Sequence, residues 1–221
     1  MTFLLLALLL VQTPLAAQEE AVFNYPLTET TKPAFLAVCR ALSPRPVIRG
    51  TFEQTKTITR LNRSLVSQGN FTIAGDFGMI WETLKPYPST MAVGRDFIVQ
   101  ETSPGNRTRL NAQGNETFLR LADTISAIFT GSAPRLLDNF DVSYAQTAER
   151  WTVGLIPRKQ AIRSFAARII LSGERSTPGR TAVIQSIVLF EQNGDAIQYS
   201  LSNHRFPQEL TAGEQALFQI Q

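Results

Sequence analysis

His204 is the only histidine and Cys39 the only cysteine in this chain of 221 residues, so chemistry that needs several such groups is closed at the outset. Neither a multi-histidine nor a cysteine-based metal site can be assembled, and an intrachain disulfide is impossible. A Ser-His-Asp scheme would have to run through His204. That residue lies in Ser202-Asn203-His204-Arg205 at the end of a predicted strand, where a satisfied or exposed imidazole is the ordinary reading. The sequence contains no G-x-S-x-G elbow, no P-loop and no G-x-G-x-x-G. Asp138, Asp141 and Asp195 sit at turns, where Asp serves the local backbone. A glycosidase carboxylate pair is gathered by the fold, so spacing along the chain does not decide it. Cys39 belongs to the apolar helical run Ala34-Phe35-Leu36-Ala37-Val38-Cys39, which places its thiol in the core. The expectation is a protein that is not an enzyme and uses no cofactor. What remains is binding through apolar side chains.

Charge points to no polyanion. There are 21 basic and 18 acidic residues, a net of +3, and no dense Lys/Arg run of the kind that neutralises a nucleic-acid backbone, so no nucleic-acid partner is expected. Mild basicity is compatible with loose attraction to an anionic membrane surface. The leucine-rich stretch from Met1 to Leu10 softens at Pro14 and ends in Leu15-Ala16-Ala17. Its apolar core, Phe3 to Val11, is far shorter than the roughly 20 residues of a membrane span, and small residues follow it. It reads as a signal peptide cleaved near Ala17, although the α-amino group is the only positive charge ahead of the leucines. No cysteine follows closely that could carry a lipid anchor, so residues 18–221 are expected to be exported as one domain, a monomer. Asn-x-Ser/Thr triplets begin at Asn62, Asn70, Asn106 and Asn115; they would matter only in a pathway that glycosylates.

The elements that must position the apolar residues follow from periodicity. Thr31-Lys32-Pro33 starts a helix that runs to about Leu42, where Ser43-Pro44-Arg45-Pro46 stops it. Period-two segments follow: Arg49 to Thr59, Ser64 to Ala74, Phe77 to Thr83, Thr90 to Val93 and Phe97 to Glu101. The turns between them are short, which requires antiparallel neighbours. From Glu116 to Thr130, Phe118, Leu121, Ala122, Ile125, Ile128 and Phe129 recur at helical spacing, and Gly131 ends the run. Pro134 to Asp138 adds a turn. Strands resume around Phe140, Trp151, Arg163 to Leu171, Ala182 to Glu191 and Ala196 to Ser202, with Asn193-Gly194 as a hairpin dipeptide. The class is mainly antiparallel β with one early and one central helix. A meander interrupted by helices can curl round them and enclose an apolar space.

Several segments, taken in order, resemble the outer-membrane lipoprotein carrier proteins (LolA) and their LolA-like relatives. Gly50-Thr51-Phe52-Glu53-Gln54-Thr55-Lys56 looks like the first-strand G-x-F-x-Q-x-K signature of that family. Leu61 to Phe71 is similar to the following loop and strand, and Gly78-Met79-Ile80-Trp81 with Lys85-Pro86-Tyr87-Pro88-Ser89 to the third strand and its exit. Trp151 to Pro157 and Glu191-Gln192-Asn193-Gly194-Asp195 are similar to the late strands. The resemblance covers about residues 30 to 206.

It implies an unclosed antiparallel β-barrel, a curved sheet with a helical lid inside its concave face, and acyl chains bound between sheet and lid. Phe71, Ile73, Met79, Trp81, Met91, Val93 and Val99 would face the cavity, and Phe118, Leu121, Ile125 and Phe129 would form the lid stripe. The implied location is the periplasm, and the implied partners are an acylated cargo (lipoprotein or glycolipid), an inner-membrane transporter that supplies it and an outer-membrane acceptor. One departure bears on release: family members place an Arg-Pro pair between the second and third strands, where Arg bonds the lid, whereas Gly75-Asp76 stands here. Arg63, in the loop before the second strand, is a solvated side chain or a headgroup contact. The other readings are an interaction or assembly protein whose cavity is filled by side chains, and a hydrolase working through His204.

Overall fold

The computed structural model describes residues 20–42, 45–75, 77–94, 97–103, 106–111, 116–175 and 182–219. The leader and its cleavage near Ala17 therefore lie outside the described residues. Eleven strands form one antiparallel sheet: β1 (Val47–Ile58), β2 (Arg63–Ala74), β3 (Gly78–Lys85), β4 (Ser89–Val93), β5 (Phe97–Ser103), β6 (Asn106–Asn111), β7 (Phe140–Gln146), β8 (Arg150–Pro157), β9 (Arg168–Glu174), β10 (Ser186–Phe190) and β11 (Ala196–Arg205). Their spatial order is β6-β5-β4-β3-β2-β1-β11-β10-β9-β8-β7. The sheet is thus two meanders joined at β1 and β11, and it does not close, because β6 and β7 remain its two edges.

Period two decides what each face carries. Phe71 and Ile73 on β2 pair with Trp81 and Met79 on β3, which pair with Met91 and Val93 on β4. This face meets the helices α1 (Lys32–Ala41), α2 (Glu116–Phe129) and α3 (Ala133–Asn139). Phe35 and Cys39 of α1, four residues apart, pack with Ala127, Ile128 and Phe129 of α2, Leu136 of α3 and the inward residues of β1–β4 and β7–β11 in one core. Helix α2 ends where the sequence predicts. Gly131 takes φ +58, its N–H bonds Ile128 and the Ser132 N–H bonds Ala127, which is a Schellman stop.

The opposite face is also covered. A C-terminal helix, α5 (Ala212–Phe218), brings Leu217 and Phe218 onto Ile80, Ala92, Phe97 and Val99, while Leu210 and Phe218 reach Val47 and Ala74. Thr211 and Glu214 form a reciprocal capping box at its start. At the other end of the sheet, Val22 and Phe23 from the short helical turn Ala21–Asn24 lie on Ile170 and Val188. Tyr25 to Leu27 then add to the β7 edge, through Leu27 N–H to Val142 and Tyr144 N–H to Tyr25, both 2.9 Å. A covered edge cannot recruit a further strand.

The structure departs from the sequence reading at several elements. β6, a run of Asn and Arg with weak strand propensity, is held by its hairpin with β5. The strand expected from Arg163 begins only at Arg168, because residues 160–163 form a helical turn, α4 (Gln160–Arg163), which with Ala166 buries Ile162 and Ala166 at a spacing of four. The strand expected from Ala182 begins at Ser186. Helix α5 and the turn Ala21–Asn24 are additional.

Candidate functional site

Two glycine–aromatic pairs build the floor of the helix-facing side. Antiparallel register sets Gly50 opposite Phe71 and Phe52 opposite Gly69. A Cβ on Gly50 would lie 2.6 Å from the Phe71 ring, and one on Gly69 would lie 2.9 Å from the Phe52 ring and 1.8 Å from the Glu82 carbonyl oxygen. Each ring therefore lies flat over bare backbone, a placement any side chain at those glycines would forbid. Trp81 completes the cluster. It stacks on Phe52 at 4.1 Å between centroids, lies parallel to Phe71 at 6.0 Å, and meets Tyr199 edge-on at 5.2 Å. Phe71 also meets Phe129 of α2 at 6.3 Å. Burial, then the Glu191 carboxylate, push the Tyr199 hydroxyl up to about 12, so it stays a neutral phenol.

Beside this cluster lies a cavity of about 330 Å³, lined on the sheet side by Ile73, Phe77, Met79 and Val93 and on the helix side by Ala122 and Ile125, with Asp123, Ser126 and Arg135 at its margin. Its size falls in the range of small-ligand sites. A second hollow of about 480 Å³ shares Gly75, Ser126, Thr130 and Arg135 with it and extends to Leu36, Cys39 and Arg40. Arg135 of α3 donates from Nη1 to Asp123 Oδ1 of α2 at 2.9 Å, tying the two helices at the mouth.

The expected site residues divide as follows. Ile73, Met79, Val93 and Ile125 line the cavity. Phe71 and Phe129 are buried in the adjoining core, and Trp81 and Met91 are half-buried against it. Phe118 and Leu121 fall on α2, and their side chains lie outside the described residues. Val99 is a correction: it pairs with Ala92, not Val93, and packs on the opposite face under Leu217 and Phe218. Its neighbour Ile98 faces the helices instead. Parity carried from β4 fails here because the connection shifts it by one. Asp76 lies outside the described residues, while Gly75 borders both hollows. Arg63 is exposed. Sequence reasoning missed Phe52, Tyr199 and Arg135. Phe52 carried a signal, since Gly50-x-Phe52 and Gly69-x-Phe71 repeat one pattern on paired strands.

Cys39 is buried and His204 is half-buried. Burial pushes the Cys39 thiol up to about 11, against the smaller opposing effects of Arg40 and a backbone hydrogen bond, so almost no thiolate forms at neutral pH. Burial lowers His204 below its ordinary value against a hydrogen bond with the Ile184 backbone, and its ring lies against the Phe71 ring at 5.7 Å. Among the described residues no group of three or more His, Cys, Asp or Glu could hold a metal ion, and no helix is long and apolar enough to cross a membrane.

Comparison with known proteins returns no matching family model and no curated relative. Solved structures do resemble the chain. A LolA superfamily protein from Nitrosomonas europaea is similar over 85% of this chain and 97% of its own, at 8% identity and TM-score 0.45. A putative outer membrane lipoprotein-sorting protein domain from Vibrio parahaemolyticus is similar over 84% and 97%, at 10% identity and TM-score 0.46. A DUF1329 family protein from Desulfovibrio piger is similar over 87% and 100%, at 10% identity and TM-score 0.47. The functional reading rests on this chain's own residues.

Proposed function

We propose that this protein is a non-enzymatic carrier that holds acyl chains between its sheet and α2 while they cross the periplasm from an inner-membrane donor to an outer-membrane acceptor. The observation that carries the reading is the cavity lined by Ile73, Met79, Val93 and Ile125, next to the half-buried Trp81 and Met91. Two methionines suit varied cargo, because an unbranched thioether adapts its shape. The energetic need is plain: at ~0.8 kcal/mol per methylene, a chain of about 16 carbons exposed to water costs on the order of 10 kcal/mol. A lipid crosses an aqueous compartment only under cover.

Release follows from differential affinity. In the observed arrangement Phe129 and its neighbours occupy much of the helix-facing side, so a full chain requires α2 and α3 to move outward. A partner that binds the displaced helices better than the packed ones shifts that equilibrium and alters cargo affinity.

Native mass spectrometry of the protein purified from the periplasm, with organic extraction of anything released, tests the reading. A bound acylated species is expected, and its identity separates lipoprotein from glycolipid. A clean apo mass with no uptake of added lipid would instead favour an assembly protein that keeps the sheet without cargo. The density of side chains from Phe35, Phe129 and Leu136 in the core is the observation on that side.

A further inference from the structure

Five of the large apolar side chains left in water gather at one end of the sheet. Leu61, Leu65 and Val66 are 55%, 57% and 51% exposed, and Leu84 and Tyr87 are 47% and 83% exposed. They lie in or next to two turns, β1–β2 and β3–β4, which an antiparallel meander places at the same end. The register places Leu84 level with Gln68 and Gly69, a few residues in from Leu65 and Val66: Gln68 pairs with Lys85, and a register shift beside it separates Gly69–Thr83 from that pair, so Leu84 falls in the irregularity. Such an irregularity re-aims a side chain. Pairing of Thr57 with Ala196 brings the β10–β11 turn to this end too.

Charge at this end leans basic, with Lys56, Arg60, Arg63 and Lys85 against Glu53, Glu191 and Asp195. Among the described residues no ion pair engages Arg60, Arg63 or Lys85. Of the nearby acids, Glu191 pairs with Lys56 Nζ at 2.9 Å, while Asp195 accepts from the Thr59 N–H at 2.9 Å and Glu53 from the Gln68 amide at 2.9 Å; neither of these forms an ion pair with the two arginines or Lys85. Apolar tips ringed by unpaired cations match an anionic bilayer surface. The aliphatic groups and the Tyr87 ring enter the headgroup boundary while Arg and Lys meet lipid phosphates. A protein partner would have to offer carboxylates to these cations and a shaped pocket to the tips; a bilayer asks only for apolar tips and cations together at one end of the sheet.

We infer that this end of the sheet docks the protein on anionic lipid bilayers. The inference does not require the carrier reading, but it adds to it, because Leu65 lies on the same face of β2 as Phe71 and Ile73 and so leads from the bilayer toward the aromatic floor.

The test is flotation of the full chain with vesicles of neutral phosphatidylcholine, alone or mixed with phosphatidylglycerol, at low and high salt. The protein is expected to float with the mixed vesicles at low salt and to be released by salt. Leu61→Ser/Leu65→Ser and Arg60→Gln/Arg63→Gln should each lower the bound fraction about tenfold, and both change exposed positions, so circular dichroism should stay that of the parent. No flotation with mixed vesicles, equal flotation with neutral ones, or unchanged flotation of both variants overturns the inference. Acyl binding measured on the same variants in the absence of vesicles should be unchanged, which separates failure of docking from failure of the carrier reading.

Discussion

Phe52 and Trp81 stack with centroids 4.1 Å apart and planes 24° from parallel, although they stand on β1 and β3 with β2 between them. The intervening residue is Gly69, whose missing side chain lets the Phe52 ring cross the strand. A stack of this kind contributes about 0.5–1.5 kcal/mol beyond the area it buries. It also fixes the position of the half-buried indole, which pairs with Met91 and packs against the core beside the cavity.

Removing that indole should therefore affect cargo directly. Trp81→Ala is expected to weaken binding of a fluorescent fatty acid about tenfold, roughly 1.4 kcal/mol, while Arg107→Ala, which removes an ion pair with Glu101 far out on β6, should leave it unchanged. Equal affinities of the two variants in a titration would remove Trp81 from the binding face.

The glycines make a separate prediction about stability. Gly69→Ala brings a methyl group onto the Glu82 carbonyl and the Phe52 ring, and should cost about 1–3 kcal/mol in urea unfolding. Gly213→Ala in α5, where nothing lies within 4 Å of the new carbon, should stabilise by up to about 1 kcal/mol. If Gly69→Ala unfolds at the parent's urea midpoint, the flat-ring geometry is wrong.

Helix α5 is tied to the back of the sheet through Glu214 Oε1, which accepts from Arg49 Nε at 2.7 Å and from the Thr72 hydroxyl at 2.9 Å, and this makes a prediction about acid. Burial alone would raise the Glu214 carboxyl, but hydrogen bonds from Arg49, from the Thr211 backbone, and from the hydroxyls of Thr72 and Thr211 outweigh it and bring it from 4.5 to about 2. A carboxyl depressed in the folded state stabilises fully above its unfolded pKa and loses that contribution as pH falls through its folded one. Glu214→Gln should thus be less stable than the parent at pH 7 by about 2 kcal/mol, and the difference should shrink between pH 4.5 and about pH 2. Parallel stability curves for the two proteins across that window would show that Glu214 carries no such linkage.

The tie between α2 and α3 should influence exchange more than folding. Arg135 and Asp123 are both about half exposed, at 45% and 47%, and such a pair contributes roughly 0–1 kcal/mol to stability. Arg135→Ala should leave the urea midpoint nearly unchanged yet speed release of bound fatty acid several-fold in stopped-flow measurements. An unaltered release rate would show that the helices part elsewhere.

Legibility varied with how local the determining physics is. The first four strands and α2 were readable because their alternation and the Gly131 stop are carried by consecutive residues. Val99 was misplaced because its face depends on how the chain turns after Gly94, which period two cannot follow across a loop. The aromatic floor was half readable: both Gly-x-Phe patterns stand in the sequence, but their reciprocal pairing needs the register of β1 with β2. Arg135 was unreadable as a tie to Asp123, since a helix-to-helix contact has no signature in spacing. Helix α5 was missed, although Thr211-Ala212-Gly213-Glu214 carries the capping pattern that marks its start.

The seam between β1 and β11 has a consequence for how the chain reaches this form. Every other neighbouring pair in the sheet is consecutive in sequence, whereas Thr51 meets Ser202 across 151 positions. Each meander can nucleate from local contacts, but the seam must wait for a long-range closure, and contacts of that separation slow folding. Until β11 arrives, β1 offers an unpaired strand to any passing chain. The period between emergence of β1 and docking of β11 is therefore the interval in which this protein most needs a chaperone, and a chain ending before Ala196 would never leave it.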